Sequence, residues 1–162
     1  MLNGMIVVGM ADLNVCRAPD VLTTLGLGSC VGIALYDPGS KIAGLAHVML
    51  PDSTQIQNNE NVAKFADTAI LKLMRDMMKM GARAHMLRAK IAGGAQMFAF
   101  NSTNETMRIG DRNVEAAVKV LKQMNVPLLA QDTGLNYGRT VELYAEDGAF
   151  LIKTIGHGNK SI

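Results

Sequence analysis

The sequence predicts an α+β fold in which two helices cover one face of a mixed β-sheet. Short runs rich in Val, Ile, Leu and Thr outnumber the long amphipathic segments. Two turn signals, "DPGS" at 37–40 and Asp147-Gly148, each separate a pair of such runs, as in β-hairpins. Other β-type runs alternate with the amphipathic segments, as in strand–helix–strand units. Hairpins mixed with such units are typical of an α+β fold.

The first third of the chain is predicted to consist mainly of strands. The runs "GMIVVGM" (Gly4–Met10) and "VLTTL" (Val21–Leu25) are of the β type, and Arg17–Asp20 is predicted to be a loop because it contains a proline. Val31–Leu50 predicts a hairpin that turns at "DPGS" and ends before a proline. The polar stretch that follows, "PDSTQIQNNEN", predicts a surface loop.

The rest of the chain contains both predicted helices. Apolar residues at helical spacing predict the first over about Glu60–Met80, and Gly81 is placed to end it. The remaining predicted elements are a strand over Ala84–Gly94, a helix over Gly110–Met124, a strand over Val126–Thr133 and a hairpin over Arg139–Ile155. The predicted inward residues of the second helix are Val114, Ala117, Val118 and Leu121. We expect residues 1–162 to form a single domain, with a frayed tail at about 157–162.

Composition excludes several classes of protein. The net charge is +2, from 16 basic and 14 acidic residues, and no Lys/Arg cluster is dense enough for nucleic-acid binding. No run approaches the roughly 18 to 20 apolar residues of a membrane span, and no export signal is recognisable. Two cysteines are unlike a disulfide framework. We therefore expect a cytoplasmic, thiol-reduced protein that neither binds nucleic acid nor inserts into membranes.

A cysteine and a histidine are predicted to meet on the first hairpin. A turn at Pro38-Gly39 pairs residues whose numbers sum to 77, which places Cys30 opposite His47. Directly opposed residues on antiparallel strands have Cβ atoms about 4.5–5.5 Å apart. Strand alternation puts both residues on a face of small side chains, which leaves room for another layer or for a substrate, while the other face is predicted to be core.

A thiol beside an imidazole can act as a nucleophile with its general base. The imidazole can accept the thiol proton, and the thiolate can then attack a carbonyl carbon. The backbone N–H groups of Gly28, Ser29 and Cys30 are candidate donors to the developing oxyanion. Thr24 is a candidate for the third group that orients the imidazole. An inert buried thiol and a core histidine remain the alternatives for Cys30 and His47.

Other motif interpretations fit less well. The glycines of "TTLGLGSC" (23–30) suggest a dinucleotide-binding turn, but a β-type run follows them instead of a helix. A zinc site built from Cys16, Cys30 and His47 lacks paired spacing and a fourth ligand. Gly93-Gly94 suggests a phosphate-binding nest, although a tight turn at a strand end is the simpler interpretation. No metal or cofactor is expected.

Several motifs resemble the chemoreceptor glutamine deamidase (CheD) family of bacterial chemotaxis. They are "TLGLGSCVGIALYDP", "AHVMLPDS", "FADTAI", "KIAGGAQMF", "IGDRNV" and "DTGLNYGRTVEL", in order from about 21 to 155. The resemblance implies a three-layer helix/sheet/sheet fold. It also implies a catalytic triad of Cys30 as nucleophile, His47 as base and Thr24. One departure is Leu135, which stands where many family members have a glycine.

The resemblance also implies a substrate and partners. The substrates are glutamine side chains in the cytoplasmic helical bundles of methyl-accepting chemotaxis receptors, hydrolysed to glutamate, and some members hydrolyse receptor methyl esters. A CheC-type phosphatase of the response regulator is an implied partner, with Phe98 and Phe100 as candidate contacts. The alternative is a regulator that binds receptor and phosphatase without catalysis.

Overall fold

Two helices and two β-sheets form three layers in the computed structural model, which describes residues 4–97 and 108–162. Within these ranges the helices are α1 (Ala66–Met80) and α2 (Ile109–Gln123). The strands are β1 (Met5–Val7), β2 (Asp12–Arg17), β3 (Val21–Leu27), β4 (Val31–Asp37), β5 (Ile42–Val48), β6 (Arg88–Gly93), β7 (Leu128–Thr133), β8 (Arg139–Tyr144), β9 (Phe150–Thr154) and β10 (Gly158–Ser161). The α+β class and the helix/sheet/sheet layering are confirmed.

Each sheet has five strands. The inner sheet, which contacts the helices, has the order β2-β5-β4-β6-β7, and the outer sheet has the order β1-β3-β8-β9-β10. Strand β1 runs parallel to β3, and β6 runs parallel to β7, whereas the other neighbours are antiparallel. Both sheets are therefore mixed. No helix in the described part of the chain has the length and apolar character needed to cross a bilayer.

The inner sheet separates two hydrophobic cores. Val31, Ile33 and Leu35 of β4 pack with α1 and α2 in the first core. Cys30 and Ala34 belong to the second core, between the sheets. This alternation follows from the period of two in a β-strand and confirms the predicted faces of the hairpin. The face of small residues is the one that the outer sheet covers.

The register of the β4–β5 hairpin differs from the prediction by two residues. The turn contains four residues, so Asp37 pairs with Ile42 and His47 lies opposite Gly32 instead of Cys30. The backbone N–H of Lys41 donates to the carbonyl of Asp37 (2.9 Å), and Lys41 adopts a left-handed conformation (φ 54°). Because the shift is an even number, Cys30 and His47 remain on the same face.

Helix α1 begins six residues later than predicted, although it ends at Met80 with Gly81 in the left-handed conformation (φ 117°), as the sequence predicts. Val62–Lys64 form a single 3-10 turn, and the next residue, Phe65, is extended. The carbonyl of Lys64 accepts hydrogen bonds from Met49 and Leu50 after strand β5. The Lys64 carbonyl is therefore hydrogen-bonded to residues after β5. In a longer helix the same carbonyl would accept from an N–H within the helix.

The predicted frayed tail is wrong. Residues 158–161 form β10, which pairs with β9 at the edge of the outer sheet. The Lys160 ammonium lies 2.8 Å from a carboxylate oxygen of Asp132, and the His157 ring stacks on Tyr137 with centroids 4.1 Å apart. These long-range contacts order a segment whose local sequence has little tendency to form structure.

Candidate active site

Two of the three predicted catalytic side chains, Thr24 and His47, meet between the two sheets, and Cys30 belongs to the same core. Thr24 lies on β3 of the outer sheet, His47 lies on β5 of the inner sheet, and Cys30 immediately precedes β4. Thr24 and His47 are fully buried, and Cys30 is 8% exposed. The site therefore depends on the packing of one sheet against the other.

Thr24 determines which nitrogen of His47 carries the proton. Its hydroxyl lies 2.7 Å from the carbonyl oxygen of Val8, which can only accept, so the hydroxyl donates to that carbonyl. The same oxygen lies 2.7 Å from Nδ1 of His47 and must accept a hydrogen bond there. Nδ1 is therefore protonated, and Nε2 carries the free lone pair.

The lone pair of Nε2 is available as a base. Nε2 is buried and has no hydrogen-bond partner among the residues that the structure describes. Burial lowers the pKa of His47 below its ordinary value, so the imidazole is neutral at neutral pH. A buried acceptor without a partner is costly in a core, and this is the atom on which a catalytic proton would be received.

Cys30 lies two residues before Gly32, the ladder partner of His47, and one residue beyond the last ladder pair, so it is not directly opposite His47. No hydrogen bond joins the Cys30 thiol to Nε2 of His47. Burial raises the pKa of the Cys30 thiol, and its own backbone N–H offsets part of this effect. Both groups are therefore neutral at rest, in place of the thiolate–imidazolium pair that direct opposition would favour.

Glycines let the backbone after β6 pack against the cysteine loop. The carbonyl of Cys30 accepts from the N–H of Gly94 (2.9 Å), and the carbonyl of Gly28 accepts from the N–H of Ala95 (2.8 Å). Gly93 has a positive φ of 108°, and a Cβ atom there would collide with the Cys30 carbonyl oxygen. Gly93 therefore ends β6 with its backbone pressed against the Cys30 carbonyl, and the N–H of Gly94 binds that carbonyl.

The three candidate oxyanion donors differ in availability. The N–H of Gly28 already donates to the carbonyl of Gly26 (3.0 Å). The N–H groups of Ser29 and Cys30 have no backbone acceptor within 4–97 and 108–162. These two adjacent amides can therefore bind an oxyanion. Gly28 allows close packing instead, because a Cβ atom there would lie 3.1 Å from Cγ of Met97.

Comparisons with known proteins identify the family. The family model "CheD chemotactic sensory transduction" matches residues 49–154. A "Probable chemoreceptor glutamine deamidase CheD" of Lachnoclostridium phytofermentans is 62% identical over 98% of this chain and 98% of its own. This chain belongs to the CheD family. A "Chemoreceptor glutamine deamidase CheD" of Halalkalibacterium halodurans is 50% identical over 99% of this chain and 100% of its own.

The family-model match starts two residues after His47, whereas the matches to CheD relatives span nearly the whole chain. Among solved structures, Bacillus licheniformis hypothetical protein YfiH is similar with 15% identity and a TM-score of 0.47. The match covers 77% of this chain and 51% of the YfiH chain.

A buried ion pair supports the loop that follows β7 in this CheD protein. The fully buried Arg139 donates to Asp132 (3.1 Å) and to the carbonyl of Gly134 (3.0 Å). Burial opposes ionisation of Asp132, but hydrogen bonds from Lys160 and Arg139 outweigh it and lower the pKa. In this loop Leu135 has a positive φ of 62°, a conformation that suits glycine. The sequence departure at Leu135 therefore falls on a position with a glycine-like backbone.

Asn113 on α2 is a site residue that sequence reasoning missed. It is fully buried, and its side-chain amide donates to the carbonyls of Ser29 and Met49. The signal was present, because Asn113 precedes the inward-facing Ala117 by one helical turn. A polar residue on the buried face of a helix indicates a specific partner.

Cys16, a metal site and two aromatic contacts were also considered in the sequence. Cys16 lies on β2, is buried and unpaired, and its burial raises the pKa of the thiol to about 11. No group of three or more His, Cys, Asp or Glu side chains suited to a metal ion occurs among the described residues. The candidate contacts Phe98 and Phe100 lie outside the described residues.

Thr24 offers a direct test of imidazole orientation. We expect Thr24→Val to lower the turnover number of glutamine deamidation on the order of 10²-fold, because Nδ1–H loses its acceptor and the ring loses its fixed orientation. Thr24→Ser keeps the hydroxyl and should restore most of the rate. Steady-state kinetics of both variants, with thermal unfolding to check the fold, measure the effect. Equal loss in the valine and serine variants would contradict the orienting role.

Proposed function

We propose that this CheD-family protein hydrolyses glutamine side-chain amides of chemoreceptors to glutamate, with Cys30 as nucleophile, His47 as base and Thr24 orienting the base. The observation that carries the proposal is the chain from the Val8 carbonyl through Thr24 to His47. It leaves Nε2 unprotonated on the face that Cys30 shares. The names of the CheD relatives supply the substrate class.

Acylation follows from this arrangement. As the Cys30 sulfur bonds to the amide carbon, its proton passes to Nε2 of His47. The negative charge that develops on the carbonyl oxygen is bound by the N–H groups of Ser29 and Cys30. His47 then returns the proton to the amide nitrogen, the C–N bond breaks, and ammonia leaves. The product of this half-reaction is a thioester between Cys30 and the former glutamine side chain.

Deacylation uses the same groups. A water molecule attacks the thioester carbonyl while Nε2 of His47 takes its proton. The C–S bond breaks, the proton returns to the Cys30 sulfur, and glutamate is released. Because the ground-state thiol and imidazole are both neutral, charge separation occurs only as the sulfur attacks an electrophile such as the amide carbonyl.

An apolar rim supports a protein substrate instead of free glutamine. We name as the rim three exposed side chains, Leu25 on β3 and Met97 and Leu135 in loops, which are 59%, 46% and 63% exposed. A Cβ atom on Gly28 would lie 3.1 Å from Cγ of Met97, and the carbonyl of Leu135 accepts from the N–H of Gln96. Large exposed apolar side chains around a site are typical of protein-binding surfaces.

The rim is expected to bind substrate without taking part in chemistry. Leu135→Asn removes an apolar side chain and suits the left-handed backbone. We expect it to raise KM for a receptor fragment about tenfold, the equivalent of losing one partly buried leucine contact, and to leave kcat unchanged. The control is Leu71→Gln, which replaces an exposed leucine on α1 (42% exposed). A fall in kcat with unchanged KM would argue against a docking role for Leu135.

Peptide mass mapping tests the proposed function. The protein is incubated with a purified cytoplasmic fragment of its cognate chemoreceptor, and tryptic peptides are examined for conversion of glutamine to glutamate. Conversion at a small number of glutamines, with ammonia release in equal amount, is the expected result. Stable binding without conversion would support the alternative of a non-catalytic regulator. Methanol release from a methylated fragment tests hydrolysis of receptor methyl esters.

We further propose a cytoplasmic location and a CheC-type response-regulator phosphatase as a second partner. The location agrees with two buried cysteines that remain free thiols. The phosphatase is the partner that the resemblance to the CheD family implies, and a family described by chemotactic sensory transduction agrees with the location. Competition between purified phosphatase and receptor fragment for this protein, measured by pull-down, tests the partner.

A further inference from the structure

The β4–β5 hairpin opens at the end where the candidate active site lies. The last pair of the ladder is Val31 with Val48. Beyond it, the N–H groups of Met49 and Leu50 turn away to the carbonyl of Lys64, and the carbonyl of Cys30 accepts from Gly94. Cys30 therefore lies just beyond the last ladder pair, whereas His47 lies inside the ladder, opposite Gly32.

One side chain from the helix layer bridges this gap. The Nδ2 group of Asn113 donates to the carbonyl of Ser29 (2.9 Å) and to the carbonyl of Met49 (3.0 Å). Ser29 immediately precedes the candidate nucleophile, and Met49 is two residues after the candidate base. An amide nitrogen has two hydrogens, so a single side chain satisfies both carbonyls at once.

Packing alone does not explain why an asparagine is buried at position 113. Asn113 is fully buried, yet its Oδ1 has no hydrogen-bond partner among the described residues. An apolar side chain on this helix face would avoid an unpaired oxygen in the core. The benefit that offsets this cost is the pair of hydrogen bonds from Nδ2 to the two carbonyls.

We propose that Asn113 is a positioning residue that sets the distance between the Cys30 thiol and Nε2 of His47. The proposal rests on the proposed catalytic roles of those two residues. By holding Ser29 and Met49 at one nitrogen, Asn113 keeps the cysteine loop and the end of β5 at a constant separation. Proton transfer from sulfur to Nε2 depends steeply on that separation.

Iodoacetamide tests this without any receptor. When the Cys30 sulfur displaces iodide, an S–C bond forms, the C–I bond breaks, and His47 takes the thiol proton. We expect His47→Gln and Asn113→Asp each to slow alkylation of Cys30 at neutral pH on the order of tenfold or more. The double variant should be no slower than His47→Gln alone, because both changes remove the same assistance. Cys16, with its raised pKa, is the slow internal reference.

Matched variants separate positioning from loss of structure. Gln123→Glu makes the same amide-to-acid change at an exposed position of α2 and should leave the alkylation rate unchanged. If Asn113→Asp does not fold, Asn113→Ser keeps one donor and is expected to give an intermediate rate. An unchanged alkylation rate in folded Asn113 variants, or additive effects in the double variant, would overturn the proposal.

The outcome is distinguishable from failure of the proposed function. If the protein does not deamidate a receptor fragment but alkylation shows the non-additive pattern, the positioning role stands and the substrate assignment falls. If deamidation occurs and Asn113→Asp lowers kcat on the order of 10²-fold with KM unchanged, both stand. If deamidation occurs and the kcat of Asn113→Asp is unchanged, only the positioning role is wrong.

Discussion

Replacing Cys30 with alanine is expected to abolish conversion of receptor glutamine to glutamate. Without the sulfur no thioester forms, and loss of a nucleophile in a triad lowers turnover on the order of 10⁶-fold. The residue is 8% exposed at the end of the second core, so alanine fits without displacing a neighbour. The measurement is peptide mass mapping after extended incubation with the receptor fragment, with binding followed separately.

Cys16→Ala is the matched control for this experiment. It makes the same substitution at the other buried thiol, which lies on β2 opposite Ala43 and has a pKa of about 11. We expect it to retain full activity and to lose roughly 1 kcal/mol of stability, as for a small buried truncation. Normal deamidation by the Cys30 variant, or equal loss in both variants, would refute the assignment of Cys30 as nucleophile.

Replacing His47 with glutamine has the second largest expected effect. Loss of the base should lower kcat on the order of 10⁴-fold, because the Cys30 thiol has a raised pKa and is almost entirely protonated at neutral pH. Glutamine keeps an N–H group that can still donate to Thr24. We expect the small residual rate to rise with pH as the thiol ionises. A residual rate independent of pH would contradict the role of His47 as the base.

The pH dependence of the wild type gives an independent measure of His47. Its neutral form is the active one, and burial lowers its pKa, so the acid limb of kcat/KM should lie below the ordinary histidine value of about 6.5. The direction in which stability changes with pH follows from the same lowering of the His47 pKa. The unfolded state takes up the proton first as pH falls, so the free energy of unfolding decreases below about pH 6.5. His47→Gln should remove that decrease, as followed by urea denaturation.

The hairpin illustrates what could be predicted and what could not. Its two strands, its turn and the composition of its two faces follow from alternation along the chain. The exact register does not, because it depends on whether the turn has two or four residues. The carboxylate of Asp37 accepts from the N–H of Gly39 inside the turn and from the N–H of Arg83, 46 residues away. The second contact has no local signal.

Other differences between the predicted and observed elements also arise from contacts between residues far apart in the chain. Strand β2 was not predicted, although polar and apolar residues alternate from Asp12 to Val15, and it pairs along its whole length with β5. The start of α1 depends on the Lys64 carbonyl, and β10 depends on Asp132 and Tyr137. In each case a partner distant in sequence supplies the hydrogen bonds or contacts that decide the local conformation.

The sequence by itself determined the fold class, the two helices, the faces of the hairpin and the residue types at the candidate site. These depend on periodicity and on short motifs, which neighbouring residues carry. Only the tertiary structure decided the tautomer of His47 that Thr24 selects, the offset of Cys30 from His47 along the hairpin, and the bridge made by Asn113. These depend on how one sheet packs against the other and on where a helix side chain reaches, and such contacts join residues far apart in the chain.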